Sequence, residues 1–545
     1  MNKTIFIKEV ITIGTLIALP SSAAATPAVP VPGESVPAEE GKTAEKIENA
    51  APVAESVKTD TRFTLAGITV EHGDMKLSDK AMTKGLKEYI GREIGKEELN
   101  KAVGFVTAYA RKHGYPAAAA YIPNQTAVNR KLTINIEPGR YGKIKLDNES
   151  GLRSQIAQGI INGLKEGDII KKRSLETALY NLRDLFGVEA IGILSPGDKP
   201  GTSNLTVRMV DGKKNSLILY AENYGNQSAG RYRYGLQEIL HNSFDTGEKI
   251  NLGFLVSNQR QHNYNINYEM PIGHSAAKAG IGFSRSDYEP GNVFRTFGAK
   301  GRASTYSLYG RTPIWNTFAS SFFVTYGYNY RDITDELTRY NFSWKKHSHA
   351  FNVGAEGVLR GKTDKISYNV NITTGTLTPT SAAAELIADA GGTKGHFTKG
   401  TFDLVGVHEF GKGFDVMMKL SGQKSANNLD SSEHIYLGGA HGVRAYPQGE
   451  ASGDEGIIGS AEFRYHTPLK GLTLSIYYDA GHVRIGKSGG EGNMTLKGWG
   501  LGLAYTRPGD LFARLDYASR IGSDELMSQD AKSRRRIWFM IGKIF

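Results

Sequence analysis

The sequence predicts small α+β domains followed by an antiparallel transmembrane β-barrel of about sixteen strands, on three observations. From about residue 213 onward, apolar and polar residues alternate with period 2, as in Tyr264-Asn265-Ile266-Asn267-Tyr268-Glu269-Met270, which gives strands one apolar and one polar face. Strand-like segments carrying tyrosine are followed by proline: Leu308-Tyr309 before Pro313, Phe463-Arg464-Tyr465 before Pro468, Leu503-Ala504-Tyr505 before Pro508-Gly509. The last observation is the end of the chain, where Ile537, Phe539 and Ile541 alternate up to Phe545 and Lys543 can snorkel at the rim.

Pro271 and Pro313, like Pro468 and Pro508, stand about forty residues apart, the length of one hairpin plus a loop on the opposite side. Short proline turns are therefore expected on one membrane face and longer loops on the other, with the tyrosines in an aromatic girdle. The stretch 213–545, at roughly 20 residues per strand with its connection, holds about sixteen strands.

Composition narrows the class. A chain of 545 residues exceeds one domain. Glycine (65), tyrosine (27) and phenylalanine (22) are plentiful, while the mean hydropathy of −0.36 is low. Past the N-terminus there is no apolar run of the ~20 residues that a membrane helix needs. A barrel hides its apolar half in alternate positions and tolerates such an average. The net charge of +11 is spread along the chain and forms no basic block, so no nucleic-acid partner is expected. The absence of cysteine excludes disulfides, thiolate metal sites and cysteine nucleophiles, and suits a chain that crosses an oxidising compartment unfolded.

In chain order, residues 1–25 read as a secretory leader: Lys3 and Lys8, the apolar Val10–Leu19, then Ala23-Ala24-Ala25. Residues 26–60, with Pro27, Pro30, Pro32, Pro37 and Pro52 among Ala, Glu and Lys, form a linker. Within it, Ala38–Ala51 is either a short helix or a solvated tether. Residues 63–141 and 142–212 repeat one pattern of strand, two helices and two strands. In the first copy Ser78 is an N-cap, Leu99, Val103, Val106 and Ala110 make a helix stripe, and Gly114 stops the helix. Leu132, Ile134 and Ile136 then alternate to Glu137-Pro138-Gly139. In the second, Leu175, Leu179 and Leu182 make the stripe, and Leu205, Val207 and Met209 the last strand.

The barrel segment carries the candidate site. Leu437-Gly438-Gly439 leads into Gly442-Val443-Arg444-Ala445-Tyr446, and Tyr477-Tyr478-Asp479-Ala480-Gly481 follows some thirty residues later. On Leu472–Asp479 the alternation puts Leu474, Ile476 and Tyr478 on one face and Ser475, Tyr477 and Asp479 on the other, which a membrane barrel turns to its lumen. An arginine inside a pore needs a carboxylate of matching geometry. The Gly-rich loop around 438–456 is therefore expected to fold inward as a plug, latched by Arg444 and Asp479.

No catalytic motif accompanies this. A nucleophile elbow, a zinc-protease helix, a P-loop and a dinucleotide fingerprint are all missing from the sequence. The thirteen histidines are scattered; His347 and His349 share one strand face without a third ligand nearby. Asp332 and Glu336 fall in what reads as a solvated loop. The expectation is a protein that is not an enzyme and uses neither metal nor cofactor.

Several of these motifs resemble the transporters of two-partner secretion, the haemolysin secretion/activation family that includes filamentous-haemagglutinin transporters. His113-Gly114-Tyr115-Pro116, Ile122-Pro123-Asn124-Gln125 and Ile136-Glu137-Pro138-Gly139-Arg140 look like the closing half of its first POTRA domain. Leu182-Arg183-Asp184-Leu185-Phe186-Gly187-Val188 looks like the second. The resemblance continues through Glu222-Asn223-Tyr224-Gly225 and Val443–Tyr446 to the C-terminus, covering essentially the whole mature chain. The family loop usually reads Val-Arg-Gly-Tyr; here Ala445 takes the third place and removes easy access to positive φ. The partner motif Phe-x-Asp-x-Gly begins with Tyr477.

The resemblance implies an outer-membrane pore that recognises and secretes an unfolded partner exoprotein, haemolysin- or adhesin-like, with its POTRA domains in the periplasm. The positions it singles out in the first POTRA domain are Gly114, Tyr115, Pro116, Pro123, Gln125 and Gly139. It also implies contact with outer-membrane lipid and, during biogenesis, with the barrel-assembly machinery and periplasmic chaperones. An assembly factor for other barrels is the alternative, although such factors generally carry more POTRA domains. A passive porin explains neither the periplasmic domains nor the inward loop.

Overall fold

A computed structural model describes residues 45–47 and 62–545, apart from 126–129, 274–275, 292, 487–491 and 523–527. The leader expected at 1–25 lies outside the described residues, as does most of the linker at 26–60.

The first small unit is a sheet of strands Gly67–Glu71, Lys131–Glu137 and Ala119–Tyr121, in that order. Helices Asp79–Leu86 and Lys96–Lys112 cover it through Met82, Leu86, Leu99, Val106 and Ala110. Ser78 caps the first helix by accepting the Ala81 N–H, and Gly114 ends the second at φ +101°, where a side chain is disfavoured.

The second unit orders its strands as Glu45–Ile47, Val188–Pro196, Thr202–Asp211, Arg140–Asn148. Helices Ser154–Ile161 and Lys172–Arg183 pack on it, and Leu175, Leu179, Leu182, Leu205 and Val207 form its buried centre. The linker corrects the sequence reading, since Glu45–Ile47 is neither a helix nor a free tether. It lies parallel to Val188–Pro196, with Glu45 opposite Gly192 and Ile47 opposite Leu194. An open sheet edge offers ladder partners to a passing segment, whereas a short helix with a thin apolar stripe must meet its nucleation cost alone.

The barrel closes on sixteen antiparallel strands. The first eight are β1 (Asn215–Glu222), β2 (Arg233–His241), β3 (Lys249–Ser257), β4 (His262–Ile272), β5 (Ala277–Tyr288), β6 (Ala299–Asn316), β7 (Ser321–Leu337) and β8 (Phe342–Arg360). The rest are β9 (Asp364–Pro379), β10 (Gly395–Gly411), β11 (Phe414–Ser425), β12 (Glu455–His466), β13 (Leu472–Arg484), β14 (Asn493–Thr506), β15 (Leu511–Arg520) and β16 (Arg535–Ile544). The closing pair is short, running only from Ile218↔Ile544 to Glu222↔Met540.

The parity on β13 is as the alternation requires: Leu474, Ile476 and Tyr478 are exposed on the outer wall, and Tyr477 and Asp479 are buried inside. Other details differ from expectation. Pro468 and Pro508 occupy turns, but Pro271 lies inside β4, and β6 runs through Pro313 with a register shift before Trp315. A residue without an N–H is accommodated at such an irregularity. Tyr309 is not part of the outer girdle: Leu308 faces out, so its neighbour faces the lumen. Asp332 and Glu336 belong to β7 and not to a loop, and Glu336 pairs with Lys300 at 3.2 Å. Long strands simply extend past the membrane into what reads as polar loop sequence.

A closed barrel resists detergent unless heated. The full chain should migrate faster unheated than boiled on a detergent gel and should fractionate with the outer membrane; recovery as a soluble, heat-insensitive species would contradict the barrel.

Candidate functional site: a loop latched inside the barrel

Between β11 and β12 the chain turns inward. Ile435 and Tyr436 pair with Gly453 and Ser452 as a short hairpin, which is extended by Leu437 N–H to Ala451 O (2.9 Å) and Gly438 N–H to Glu450 O (2.8 Å). At the tip Val443 N–H returns to Leu437 O at 2.8 Å. Gly442 is required there, since a β-carbon would sit 2.0 Å from that same carbonyl.

The tip presents Arg444 to β13. Its Nε donates to Asp479 Oδ2 and its Nη2 to Asp479 Oδ1, both at 2.8 Å, and its backbone N–H adds a third bond at 3.1 Å. Nη1 reaches Glu462 Oε2 at 2.9 Å, and Nη2 reaches Ser460 Oγ at 3.1 Å. The guanidinium carbon lies 3.1 Å from the centre of the Tyr477 ring, a cation–π contact strengthened by desolvation. Trp538 Nε1–H donates to the Arg444 carbonyl at 2.7 Å, tying the tip to β16.

Charge balance is shared. Glu462 and Asp516 also take Arg514, with Arg514 Nε 2.6 Å from Asp516 Oδ2, so two guanidinium groups face three carboxylates in a site closed off by Leu437, Val443, Tyr446, Tyr477, Val483 and Leu496. Asp479 is 1% exposed. A buried pair of this kind is tolerable only when every remaining donor and acceptor is used.

The structure therefore brings together Val443, Arg444, Ala445, Tyr446, Tyr477, Asp479 and Gly481. Ala445 keeps φ outside the left-handed region, so this site does not need the glycine usual at that place. Its methyl rests over Gly498, where a β-carbon would come within 2.5 Å. Gly481 leaves room for Leu437 and Val443. The sequence reading missed Glu462, Ser460, Arg514, Asp516 and Trp538. Parity was the available signal, because Phe463 and Leu515 face outward and their neighbours must face the lumen.

The POTRA positions have a different job. Gly114 O accepts Lys172 N–H and Gly139 O accepts Ile170 N–H, both at 2.9 Å; Gly139, at φ +75°, has no room for a side chain beside Ala117. Ala117 itself is buried in the core of the second unit. Tyr115 and Pro116 are buried beside this joint, and the Tyr115 hydroxyl accepts the Lys76 N–H at 2.8 Å. The Gln125 amide spans Thr133, donating to its carbonyl at 2.6 Å and accepting its N–H at 2.9 Å. Pro123 precedes that brace. Gly114 and Gly139 thus join the two units, and Gln125 braces one strand.

The second unit is docked on the barrel. Lys278 of β5, 1% exposed, pairs with Asp184 at 2.9 Å, donates to its carbonyl and lies 3.9 Å from the Phe186 ring. Arg311 of β6 reaches Asp184 at 3.3 Å. Burial pushes the Glu176 carboxyl on the same helix upward, against the pull of Lys172.

His347 and His349 stand on the outer face of β8, 5.4 Å apart, and no metal-binding group of three or more His, Asp or Glu side chains occurs among the described residues.

A sixteen-stranded membrane barrel, plugged by its own latched loop and carrying two α+β units on its short-turn side, defines an outer-membrane polypeptide transporter. The family model described as haemolysin secretion/activation protein ShlB/FhaC/HecB matches residues 201–505, and that of the ShlB-type POTRA domain matches 63–139. The chain belongs to this family of two-partner secretion transporters, which sit in the outer membrane with their POTRA domains in the periplasm. It is similar to the heme/hemopexin transporter protein HuxB of Haemophilus influenzae, 24% identical over 91% of this chain and 89% of that one. It is also similar to the outer membrane transporter CdiB of Dickeya dadantii, 23% identical over 81% and 80%. Among solved structures, CdiB from Escherichia coli matches with a TM-score of 0.70 at 17% identity, covering 93% of this chain and 94% of the other. CdiB from Acinetobacter baumannii matches with 0.64 at 18% identity over 91% and 94%.

Because Arg444 and Asp479 touch, their contributions to barrel stability should not add. In a cycle of Arg444→Ala, Asp479→Ala and the double variant, read from the temperature at which the gel shift is lost, the double should be little worse than the worse single. The coupling should be on the order of 0.5–3 kcal/mol; additive losses would separate the two motifs.

Proposed function

We propose that the loop around Arg444 is the gate of this transporter, and that residues 63–212 deliver an unfolded exoprotein to it. The observation that carries the reading is the Arg444–Asp479 contact inside the lumen, a bidentate fork from the loop tip to the wall. Breaking it exposes an unpaired charge on both sides, so a gate of this kind stays shut until something stabilises the open form. A passenger threading the pore supplies that, and its folding outside supplies the drive; no nucleotide motif occurs in the sequence. The cargo in this reading is a haemolysin- or adhesin-like exoprotein; the family transports partner exoproteins.

The domains assigned from sequence, 63–141, 142–212 and 213–545, fit this division of labour. Residues 1–25 serve as the export leader. The barrel-assembly machinery inserts the barrel, chaperones keep the periplasmic form unfolded, and outer-membrane lipid surrounds the apolar wall. Recognition takes place by strand addition. In the second unit the edge Val188–Pro196 already carries an extended segment. The corresponding edge in the first unit is Ala119–Tyr121, which among the described residues pairs only with Lys131–Glu137.

Arg444→Ala and Asp479→Ala should each reduce export and change single-channel conductance. Arg444→Lys keeps the charge but loses the fork and should be partly defective; a fully active lysine variant would reduce the latch to charge neutralisation. Export is measured as release of the partner exoprotein into the medium. For the edge, the Ala120 N–H is held by Thr107 Oγ1 at 3.0 Å, a bond that an added strand would displace. Ala120→Pro removes that donor and should abolish export while the barrel still inserts and shows its gel shift. Normal export would exclude this edge.

A further inference from the structure

The inward loop is fixed at a second place, on a different arc of the wall. Its root, Leu429–Glu433, lies against β7, β8 and β10, whereas its tip lies against β12–β16. At the root Asp430 accepts Lys346 Nζ at 2.7 and 3.0 Å. Glu433 takes Arg331 Nη1 at 2.8 Å and Lys399 Nζ at 2.8 Å. The same cations bind backbone: Arg331 donates to Ser432 O (3.1 Å) and Lys399 to Glu433 O (2.9 Å). Gln423 of β11 joins Glu433 O and Asp454 O. Leu429 is buried in one cluster with Ala350 and Phe397, and its N–H is accepted by Asp454 Oδ1 at 2.5 Å.

The signs are opposite at the two anchors. At the tip the loop brings the cation and the wall the carboxylates; at the root the loop brings the carboxylates and the wall the cations. Neither end can satisfy itself in the other's place, so the register of the plug is fixed. The anchors also differ in what they join. At the tip Arg444 is forked to wall carboxylates, beside bonds from Arg520 Nε to the Ala445 carbonyl at 3.4 Å, from Trp538 to the Arg444 carbonyl and from Ser528 to the Glu450 carboxylate. The root is held by cations from three strands and by backbone and apolar contacts besides. Between the two runs a hydrogen-bonded hairpin, Ile435–Tyr436 with Ser452–Gly453, which can turn as a unit.

We infer that Leu429–Glu433 is the hinge of the gate: when Arg444 leaves Asp479, the hairpin turns about a root that remains bound. Arg331, Lys346 and Lys399 are then positioning residues, keeping the loop attached and guiding its return. This rests on the reading of Arg444 as the latch.

The chain has no cysteine, so engineered pairs report cleanly. For the tip, Val443→Cys with Gly481→Cys forms a disulfide, since a β-carbon at 481 lies 3.4 Å from Val443 Cγ2. For the root, Ala350→Cys with Leu429→Cys is joined by a short, reducible bis-thiosulfonate linker. Each full-length protein, checked for its gel shift, is placed in a planar lipid bilayer, and voltage-driven openings are counted before and after reduction. The tip-linked pore should stay closed and regain openings when reduced, and the root-linked pore should open as often before reduction as after it. A root-linked pore that stays closed until reduced would overturn the hinge and leave the latch standing. A tip-linked pore that opens freely would remove the latch, and the hinge with it.

Discussion

The tip of the plug is arranged around one buried guanidinium. Arg444 sits where water is excluded, and the effective penalty for such an ion is several kcal/mol unless its donors are matched. Asp479 matches two of them in fork geometry, and Glu462 and Ser460 take the others. The reverse constraint is as strong, because Asp479, Glu462 and Asp516 crowd one patch of wall, and without Arg444 and Arg514 their mutual repulsion would leave carboxylates buried without partners. The plug therefore belongs to the charge balance of the wall and is not merely lodged in the pore.

This requirement reaches into the sheet. Glu462, Asp479 and Asp516 come from β12, β13 and β15, and a one-residue slip in any of these strands would turn its carboxylate outward to lipid. The loop must also approach closely, which explains small residues where strands otherwise favour bulk: Gly481 beneath Val443, Gly498 beneath Ala445. On β16 the same tip meets Trp538, whose ring packs edge-on against Tyr224 at 5.8 Å. Asn223 beside it donates to Ile537 O and accepts the Phe539 N–H, continuing in side chains the short closing pair. The latch and the closure of the barrel thus share residues.

Much of this could be read from the sequence, because period 2 is a strong signal over long strands and puts Asp479 on the lumen face without further information. Arg444 was legible for the same reason, as a cation flanked by glycines with a carboxylate motif to meet. What could not be read depends on register between strands distant in sequence. Arg331, Lys346 and Lys399 lie 34 to 102 residues from Glu433 and Asp430, and no local pattern brings them together. Glu45–Ile47 forms a strand because of an edge provided by residues 188–196, so its own composition suggested a tether. Pro313 reads as a turn because the end of β6 leaves no local mark, and Tyr309 reads as a girdle residue although its parity with Leu308 turns it to the lumen; polar residues on strands that outrun the membrane look like loop.

The periplasmic units bear on which part of the molecule can move. They are joined by backbone bonds at Gly114 and Gly139, and at Gly139 the two units approach so closely that a β-carbon would lie 2.6 Å from Ala117. The second unit is in turn held to the barrel through Asp184, whose partner Lys278 is buried and would be left without a counter-ion if the unit swung away. The barrel wall is a continuous hydrogen-bonded sheet. Within the lumen the loop tip is held by side-chain contacts, those of Arg444, Trp538 and Arg520, and not by a continuous backbone ladder. Side-chain contacts yield before a closed backbone ladder does, so in the proposed mechanism a passing polypeptide would act on the tip contacts before it strains the frame.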